Sequence, residues 1–591
     1  MTATAEREVR PALVEATLQA PRWRWIPWFT LALGLALFIY GERTIPTAQA
    51  SQWGLLAVAS PAYGLSILLA ASGFIVAVRQ SNIRAAVAAT VLMLVVLRLP
   101  TTVATDMPMY SWTYKHLGVV DYIQHAHALA READIYNAWP GVFALTAWFS
   151  DLTGVSTISI AHWFTPVFHA FFAWAAYGVA SAWGLKPMQK VTVAFLVMTL
   201  NWVLQDYFSP QATTIFLAAG ILALIGLSRD RHVGTWLILI IFAAGAITHQ
   251  LTPYWLLGLT GILVVSRKLK PWWIILPMAA MLAGMLAYNW ETVGHYSLFS
   301  DSIARNVVGN IPTVGTIGQR VTSGLVRVLS ASMWVATALV LLYRLRKRQP
   351  YWRLGVLSLS PMLMLGGLDY GGEAVFRVFL YSLIGCSIVL APGIVAALQA
   401  GGWRFRAASA AVLVATGLAT QGATGGWYAN VMPKLQVETA RAVLSQAELP
   451  SYLTAVAPVW PERTTWRYVN FAKFNRNYDA LMIQATELAL LHFDTPQDYS
   501  MLTRRLAGRG DASTYLIMTD QMRIYAWYYG ILPWDAFPNL KKQLYNDPAR
   551  WQPFYDGQGI TVFVHKVNSM DASGTDSALA GLGDAASANG G

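Results

Sequence analysis

The 591-residue sequence has little cysteine and little charge. Its single cysteine, Cys386, lies within an apolar run, so a disulfide within the chain is excluded. Charged residues form 12% of the chain, against about 25% in soluble domains, while 55% of the residues are hydrophobic. A soluble fold could not bury that much apolar surface. The composition therefore predicts an integral membrane protein.

The start of the chain has no recognisable cleavage site. Residues 1–26 are polar and carry several arginines, and no small-residue signal ends the apolar run that follows them. We therefore predict a cytoplasmic N-terminal segment, 1–26, followed by a first helix that is not removed.

Thirteen apolar runs have about the length of a membrane crossing. A bilayer core of about 30 Å needs about 20 apolar residues in a helix. We predict about thirteen transmembrane helices within a membrane domain spanning 27–424. The runs are 27–41, 54–78, 84–100, 159–183, 189–204, 212–228, 234–250, 253–266, 271–289, 326–343, 352–368, 377–398 and 407–424.

Basic residues occur in every second connection between these runs. With a cytoplasmic N-terminus, each inner connection contains Lys or Arg, whereas the outer connections 205–211 and 249–253 contain neither. Short cytoplasmic loops are enriched in Lys and Arg. The alternation therefore predicts a multi-pass plasma-membrane protein whose region after residue 424 is extracytoplasmic. It also explains the formal charge of +12 without a nucleic-acid partner.

Charged residues return after residue 424. We predict an extracytoplasmic soluble domain over 425–568, with short buried strands at 514–520 and 559–566 and helices at 435–448 and 478–492. The predicted fold class is a polytopic α-helical membrane protein with a small C-terminal α/β domain. The stretch 569–591, rich in Ala, Gly and Ser, is predicted to be disordered.

The largest outer loop, 101–158, concentrates ionisable residues. It contains Asp106, Lys115, His116 and Asp121, and its segment WPGVFALTAWF resembles an amphipathic helix lying in the membrane interface. A carboxylate at the mouth of a membrane cavity suits general base catalysis, because partial desolvation raises a carboxyl pKa toward neutrality. The alternative is that these are solvated loop charges.

Three shorter outer segments repeat this pattern at helix ends, where ionisable groups are costly unless they line water or bind something. Two glycines before a helix, with an arginine one turn in, would suit a lipid-linked phosphate. Glu373 and Arg377, four residues apart, could equally form an ordinary ion pair on one helix. The residues are Asp206 and Tyr207 in QDYFSPQ, His249 and Gln250 in THQLTP, and Asp369, Glu373 and Arg377 in LDYGGEAVFR.

Five phrases within about residues 85–400 resemble the GT-C superfamily of integral membrane glycosyltransferases, particularly its actinobacterial members. They are YKHLGVVDYI, DIYNAWPGVFAL, NWVLQDYFSPQ, ITHQLTP and DYGGEAVFRVFLYS. The resemblance implies a polyprenyl-phosphate-linked sugar as donor and a cell-envelope glycan or lipid as acceptor. It also implies a loop carboxylate as catalytic base, here Asp106 or else Asp121. Arg377, with Lys115 or His249, would then face the donor phosphate.

Other function classes stay open. A transporter or flippase of a lipid-linked or small polar substrate is the main alternative, and a non-catalytic scaffold is the third. Transporters place charged groups near mid-membrane, whereas these runs hold few acids and bases, so an inverting sugar transferase is favoured. The sequence indicates no particular cofactor. A divalent cation on Asp106, Asp121 and Glu373 is allowed but not demanded by their spacing, so we assign no metal ligand.

Overall fold

A computed structural model describes residues 23–46, 49–228, 234–293, 311–366, 373–507 and 512–565. Most of segment 1–26, Asp369 with its two following glycines, and the stretch 569–591 lie outside the described residues. The predictions made for them are therefore not examined by the structure.

The described chain up to residue 424 is helical. Its α-helices are α1 Ile26–Glu42, α2 Leu55–Val58, α3 Pro61–Arg79, α4 Ile83–Arg98, α5 Pro100–Val103, α6 Ser111–Ala126, α7 Gly141–Thr153, α8 Thr157–Ala182, α9 Pro187–Leu200, α10 Pro210–Leu227, α11 Thr235–Ala246, α12 Thr252–Val265, α13 Ile275–Tyr288, α14 Trp290–Val293, α15 Ile317–Arg346, α16 Trp352–Leu359, α17 Ala374–Gln399 and α18 Gly402–Thr424. Each of the thirteen predicted runs overlaps a helix in this part of the chain. The eleventh run is broken, because a 3₁₀ helix, Ser360–Gly366, follows α16.

Among the described residues, five helical segments are long and apolar enough to cross a membrane by length and composition. They are Pro61–Arg79, Ile83–Val103, Pro210–Leu227, Ile317–Arg346 and Ala374–Gln399. Shorter apolar helices, such as α1, α9, α11 and α12, accompany them. Outward-facing side chains such as Trp236 and Val265 are 71% and 81% exposed, as expected on helices apolar all round. The chain is thus an α-helical membrane protein, which confirms the predicted fold class; the count of thirteen crossings stays a prediction.

One end of the helical bundle gathers several basic connections. The Arg79 guanidinium donates a hydrogen bond of 2.7 Å to the Ala400 carbonyl and stacks on Phe405. Arg353 likewise donates to the Ile225 carbonyl at 2.8 Å. Each of these contacts joins two connections that are far apart in sequence.

The chain after residue 424 adds a small α/β domain. Its helices are α19 Trp427–Asn430, α20 Lys434–Gln446, α21 Tyr468–Phe474, α22 Pro496–Ala507, α23 Asp520–Tyr529 and α24 Ala536–Tyr545, and its strands are β1 Ser451–Ala455, β2 Ser513–Thr519, β3 Trp551–Gly557 and β4 Ile560–His565. The strand order is β1-β2-β4-β3, with only the β1-β2 pair parallel among the described strands. Both predicted strands and the helix at 435–448 are present.

The predicted helix at 478–492 is wrong. This segment contains two 3₁₀ turns, Met482–Gln484 and Thr486–Leu488. Its backbone is used for contacts with other parts of the domain: the Tyr478 carbonyl accepts from the Leu453 amide at 2.7 Å, and the Leu490 amide donates to the Ile531 carbonyl at 3.0 Å. These tertiary hydrogen bonds replace the helical ones that the apolar spacing suggested.

The long loop 101–158 packs with the C-terminal domain. One continuous hydrophobic cluster contains Leu117, Val120 and Phe143 from the loop together with Val437 and Leu453 from the domain. The approach is so close that a Cβ added at Gly118 would collide with the Arg463 carbonyl oxygen. Only glycine therefore fits at this position of α6, where the loop meets the domain.

Candidate functional site

A closed charge cluster holds the connection between α9 and α10. Asp206 accepts hydrogen bonds from Arg98 Nη1 at 3.3 Å and from His169 Nε2 at 2.8 Å. All three side chains are at most 3% exposed. Burial alone would raise the pKa of Asp206, but the hydrogen bond and charge of His169 and the charge of Arg98 hold it below its ordinary value. The carboxylate is thus ionised and paired with both side chains.

The same short connection presents its neighbouring residues to a second, more open group. Ser209 caps α10 by accepting from the Ala212 amide at 3.2 Å, and Pro210 begins the helix, so the connection ends sharply. Gln205, next to the buried Asp206, donates to Glu373 Oε2 at 2.6 Å and accepts from Gln211 at the same distance. Polar side chains from separate helix ends therefore meet at one place.

Glu373 and Arg377 form the centre of this open group. Arg377 Nη2 lies 2.9 Å from Glu373 Oε2, and the two side chains are 7% and 30% exposed, respectively. Tyr525 of α23, in the C-terminal domain, lies close to Glu373. Burial, then Tyr529, then the charge of Glu373 raise the pKa of Tyr525. We call Gln205, Gln211, Glu373 and Arg377 the open cluster.

His249 adjoins the open cluster. Its Nδ1 accepts a hydrogen bond of 3.2 Å from the Thr252 amide, and Thr252 Oγ1 lies 2.8 Å from the Tyr381 hydroxyl, one turn beyond Arg377 on α17. Burial, then the charge of Arg377, lowers the pKa of His249, which lies between α11 and α12, to about 3. The imidazole is therefore neutral, and with Nδ1 accepting, its proton resides on Nε2.

His116 and Tyr207 form an aromatic group beside the open cluster. The two rings stack at a centroid distance of 5.9 Å, and Tyr207 lies 5.5 Å from the ring of Tyr110. His116 Nδ1 donates to the Phe208 carbonyl at 2.8 Å. Burial lowers the pKa of His116 to about 4. The connection that carries Asp206 thus also orders the aromatic side of the site.

The two candidate bases have different surroundings. Asp106 is exposed on the turn after α5, and within the described part of the chain its carboxylate accepts no hydrogen bond. Asp121 Oδ2 instead accepts from the Trp466 amide at 2.6 Å, so it joins the loop to the C-terminal domain. A base needs an available lone pair close to its substrate. The Asp106 carboxylate is exposed and that of Asp121 is engaged, and the choice of Asp106 as base stays a prediction.

The remaining predicted residues also fall into two groups, those at the candidate site and those that contact the C-terminal domain. Lys115 Nζ forms an ion pair with Glu462 at 2.8 Å and lies over the Trp112 ring, so its charge is already used. Gln250 is half-buried beside His249. The structure therefore brings together His116, Tyr207, His249, Glu373 and Arg377, while Lys115 and Asp121 serve the contact with the domain.

An ion network fastens the C-terminal domain over the loop. Arg463 donates from Nε and Nη2 to the Asp479 carboxylate at 2.6 and 2.9 Å, and its Nη1 lies 3.2 Å from Asp134 of the loop. His125 of α6 stacks on Trp466 at 3.9 Å. The loop side of the bundle is therefore covered by a firmly attached domain.

No group of three or more His, Cys, Asp or Glu side chains suited to a metal ion occurs among the described residues. Asp106, Asp121 and Glu373 are thus not gathered around one point there. We derive no chemical step through a metal.

Sequence reasoning missed Arg98 and His169, because both lie inside runs read as apolar, 84–100 and 159–183. A signal existed for Arg98: a cation near the end of an apolar run with no acid in the same run needs a partner from elsewhere. The contribution of Tyr525 could not have been anticipated, since it comes from a different domain.

No protein-family model matches the chain, and no curated protein matches it either. Among solved structures, the Archaeoglobus fulgidus oligosaccharyltransferase tethered with an acceptor peptide is 11% identical with a TM-score of 0.46, covering 82% of this chain and 74% of that one. ArnT from Cupriavidus metallidurans, apo and bound to undecaprenyl phosphate, is 11% identical with a TM-score of 0.44, covering 80% of this chain and 97% of that one. Similarity at this level says nothing about activity or site residues.

Proposed function

We propose that the protein is a membrane glycosyltransferase that moves a sugar from a polyprenyl-phosphate donor to a cell-envelope glycan or lipid outside the cytoplasm. The observation that carries the proposal is the meeting of Gln205, Glu373 and Arg377 from separate helix ends beneath the C-terminal domain. Ionisable groups at such positions are retained where they bind a polar ligand. A lipid carrier would deliver its head group at this depth.

Arg377 and His249 are suited to hold the donor phosphate. A guanidinium forms strong charge-assisted hydrogen bonds to phosphate oxygens. His249, held neutral with its proton on Nε2, adds a neutral donor close to Arg377. Glu373 and Gln205 keep the guanidinium in place.

Asp106 is the proposed general base. In an inverting transfer, an acceptor hydroxyl attacks the anomeric carbon, the carboxylate takes the hydroxyl proton, and the bond to the lipid phosphate breaks with its electrons leaving on phosphate. The exposed Asp106 carboxylate is accessible to an acceptor arriving from the loop side.

The test is a transfer assay with purified protein, radiolabelled polyprenyl-phosphate hexoses and pentoses, and cell-envelope acceptors. Loss of a general base costs about 10²- to 10⁴-fold in rate. We expect that loss in Asp106→Asn and none in Asp494→Asn, the same change at an exposed carboxylate of the C-terminal domain. Transfer that is insensitive to Asp106→Asn would rule out this base, and failure with every donor would count against the function.

The orientation can be tested independently. We place the N-terminus in the cytoplasm and the C-terminal domain outside. Because the only native thiol, Cys386, is buried, a cysteine introduced at the exposed Asp494 should react with an impermeant maleimide on intact cells. A cysteine at Gln349, on the basic side, should react only after lysis. The reverse pattern would invert the topology.

A transporter or flippase is the second candidate. It is favoured by one observation: Arg98 and His169 place ionisable side chains inside apolar helices, and intramembrane ionisable groups are often functional. In reconstituted liposomes, a flippase would move a fluorescent polyprenyl-phosphate lipid between leaflets without any acceptor. Translocation that needs no acceptor, without sugar transfer, would favour this candidate.

A further inference from the structure

A groove of about 520 Å³ opens between the long loop and the C-terminal domain. Its walls come from Tyr122 of α6, residues 129–133 of the loop, and Val469 and Lys473 of α21. A volume in this range accommodates a small ligand or a head group. Tyr122 lies six positions after His116 on α6, so it points to a different side of the helix and the groove is separate from the candidate site.

The groove is lined by charged side chains. Arg131 and Lys473 face it together with the Glu132 carboxylate. Within the described part of the chain, none of these three side chains forms an ion pair, and Lys473 and Glu132 are exposed. Two cations against one carboxylate favour a ligand that carries a negative charge and also a hydroxyl or amine.

Exposed aromatic residues adjoin the groove. The Arg131 guanidinium stacks 3.8 Å over the ring of Tyr288, the last residue of α13, and Trp290 follows it. Tyr288 and Trp290 are 60% and 55% exposed, as expected of aromatic residues at head-group depth. Asn289, between them, donates to the Ala138 carbonyl of the loop at 3.2 Å, which fixes the loop at this height.

Helix α7 also indicates that this part of the loop lies at the membrane interface. Its buried face includes Val142, Phe143 and Ala147, whereas its other face exposes Trp148 and Leu152. A short helix with a buried face and a second, apolar exposed face fits an interfacial position, its outer side embedded among lipids. The loop that lines the groove is thus held against the membrane on the side of the C-terminal domain.

We propose that this groove binds the phosphate head group of a membrane lipid. Arg131 and Lys473 hold the phosphate oxygens, and Glu132 and the Tyr122 hydroxyl take up the hydroxyls or amine of the head group. The inference goes beyond the proposed transfer reaction, because none of these residues belongs to the open cluster. The lipid could come from the bilayer or from a polyprenyl-phosphate carrier, which share this chemistry.

Native mass spectrometry of the purified full chain tests the proposal. Phosphatidylglycerol and polyprenyl phosphate are titrated separately, with diacylglycerol as a lipid without phosphate. Each basic residue near a membrane surface contributes about fivefold in affinity for an anionic lipid, so Arg131→Gln with Lys473→Gln should weaken binding about 25-fold. The matched variant, Arg504→Gln with Lys542→Gln, removes two exposed cations elsewhere in the domain and should bind as the wild type does.

Several outcomes would contradict or refine the proposal. Equal affinity in the two double variants, or equal binding of diacylglycerol, overturns it. Preference for phosphatidylglycerol over polyprenyl phosphate, or the reverse, identifies the source of the lipid. If the first double variant does not fold, Lys473→Gln alone, at an exposed position, should lose about fivefold, and Lys473→Arg should restore binding; no loss in Lys473→Gln also overturns the proposal.

Discussion

Two clusters on the loop side of the helical bundle use the same kinds of side chain in opposite ways. In the closed cluster, Arg98, Asp206 and His169 satisfy one another and are at most 3% exposed. In the open cluster, Glu373 is 30% exposed and shares its carboxylate between Gln205 and Arg377. Gln205 and Asp206 are consecutive in the sequence, so a single connection supplies both clusters.

The difference shows that burial, more than residue type, separates a structural charge from a binding one. A fully buried carboxylate that is hydrogen-bonded to Arg98 and His169 is out of reach of a substrate, and its pairing fixes the backbone around it. A partly exposed ion pair can exchange partners at small cost. The closed cluster therefore holds the connection, and the open cluster is where a ligand can compete.

The largest expected change is a loss of stability when the closed cluster is broken. Asp206→Asn leaves the buried Arg98 guanidinium without its counter-charge, and breaking a buried pair in this way costs about 3 to 5 kcal/mol. The free energy of unfolding, measured by denaturant titration in detergent, should fall by that amount. Asp494→Asn, at an exposed position, should stay within about 0.5 kcal/mol of the wild type. Similar values for both variants would remove the distinction between the clusters.

The next effect is a pH dependence that comes from His116. The folded protein keeps this imidazole neutral down to about pH 4, whereas the unfolded chain protonates it near 6.5. The unfolded state therefore binds more protons between these values, and the free energy of unfolding decreases as pH falls through the window. The full decrease is about 3 kcal/mol.

His116→Gln isolates this contribution. The amide can still donate to the Phe208 carbonyl but does not titrate, so the stability of the variant should depend less on pH between 4 and 6.5. His492 gives the contrast, since its hydrogen bond to Asp535 raises its pKa and its stabilisation is present at low pH and lost as pH rises. Identical pH profiles for wild type and His116→Gln would contradict the prediction.

A smaller effect is expected on donor binding at the open cluster. Hydrogen bonds to charged groups contribute about 1.5 to 3 kcal/mol, so Arg377→Gln should raise KM for the lipid-linked donor by about 10- to 100-fold. The Asp106→Asn variant should lower kcat instead. Arg320→Gln, the same change at an exposed position of α15, serves as the control. An unchanged KM in Arg377→Gln would place the phosphate elsewhere.

Much of the fold could be predicted because hydrophobic length is read directly from the sequence. Each of the thirteen apolar runs overlaps a helix in the described chain, and the strands at 513–519 and 560–565 match their predictions. The helix at 478–492 failed because tertiary hydrogen bonds of Tyr478 and Leu490 outweighed local spacing. Local patterns are reliable where the solvent, here lipid, imposes the structure.

The candidate site was only partly predictable. Helix-end residues such as His249, Glu373 and Arg377 stood out because charge is rare in this chain, and the structure brings them together. Asp206 stood out for the same reason, yet it lies in the closed cluster. Its partners, Arg98 and His169, are 108 and 37 residues away in sequence, and nothing local records that pairing.

The smallest expected effect completes the contrast between the clusters. Glu373→Gln keeps an oxygen that can accept from Gln205 and Arg377 while removing the charge. Partly exposed ion pairs contribute about 0 to 1 kcal/mol, so the free energy of unfolding should fall by less than about 1 kcal/mol. The double variant Glu373→Gln with Arg377→Gln should show a coupling in the same range. A loss as large as that of Asp206→Asn would mean that both clusters are structural, and the phosphate would then have to bind where neither of them reaches.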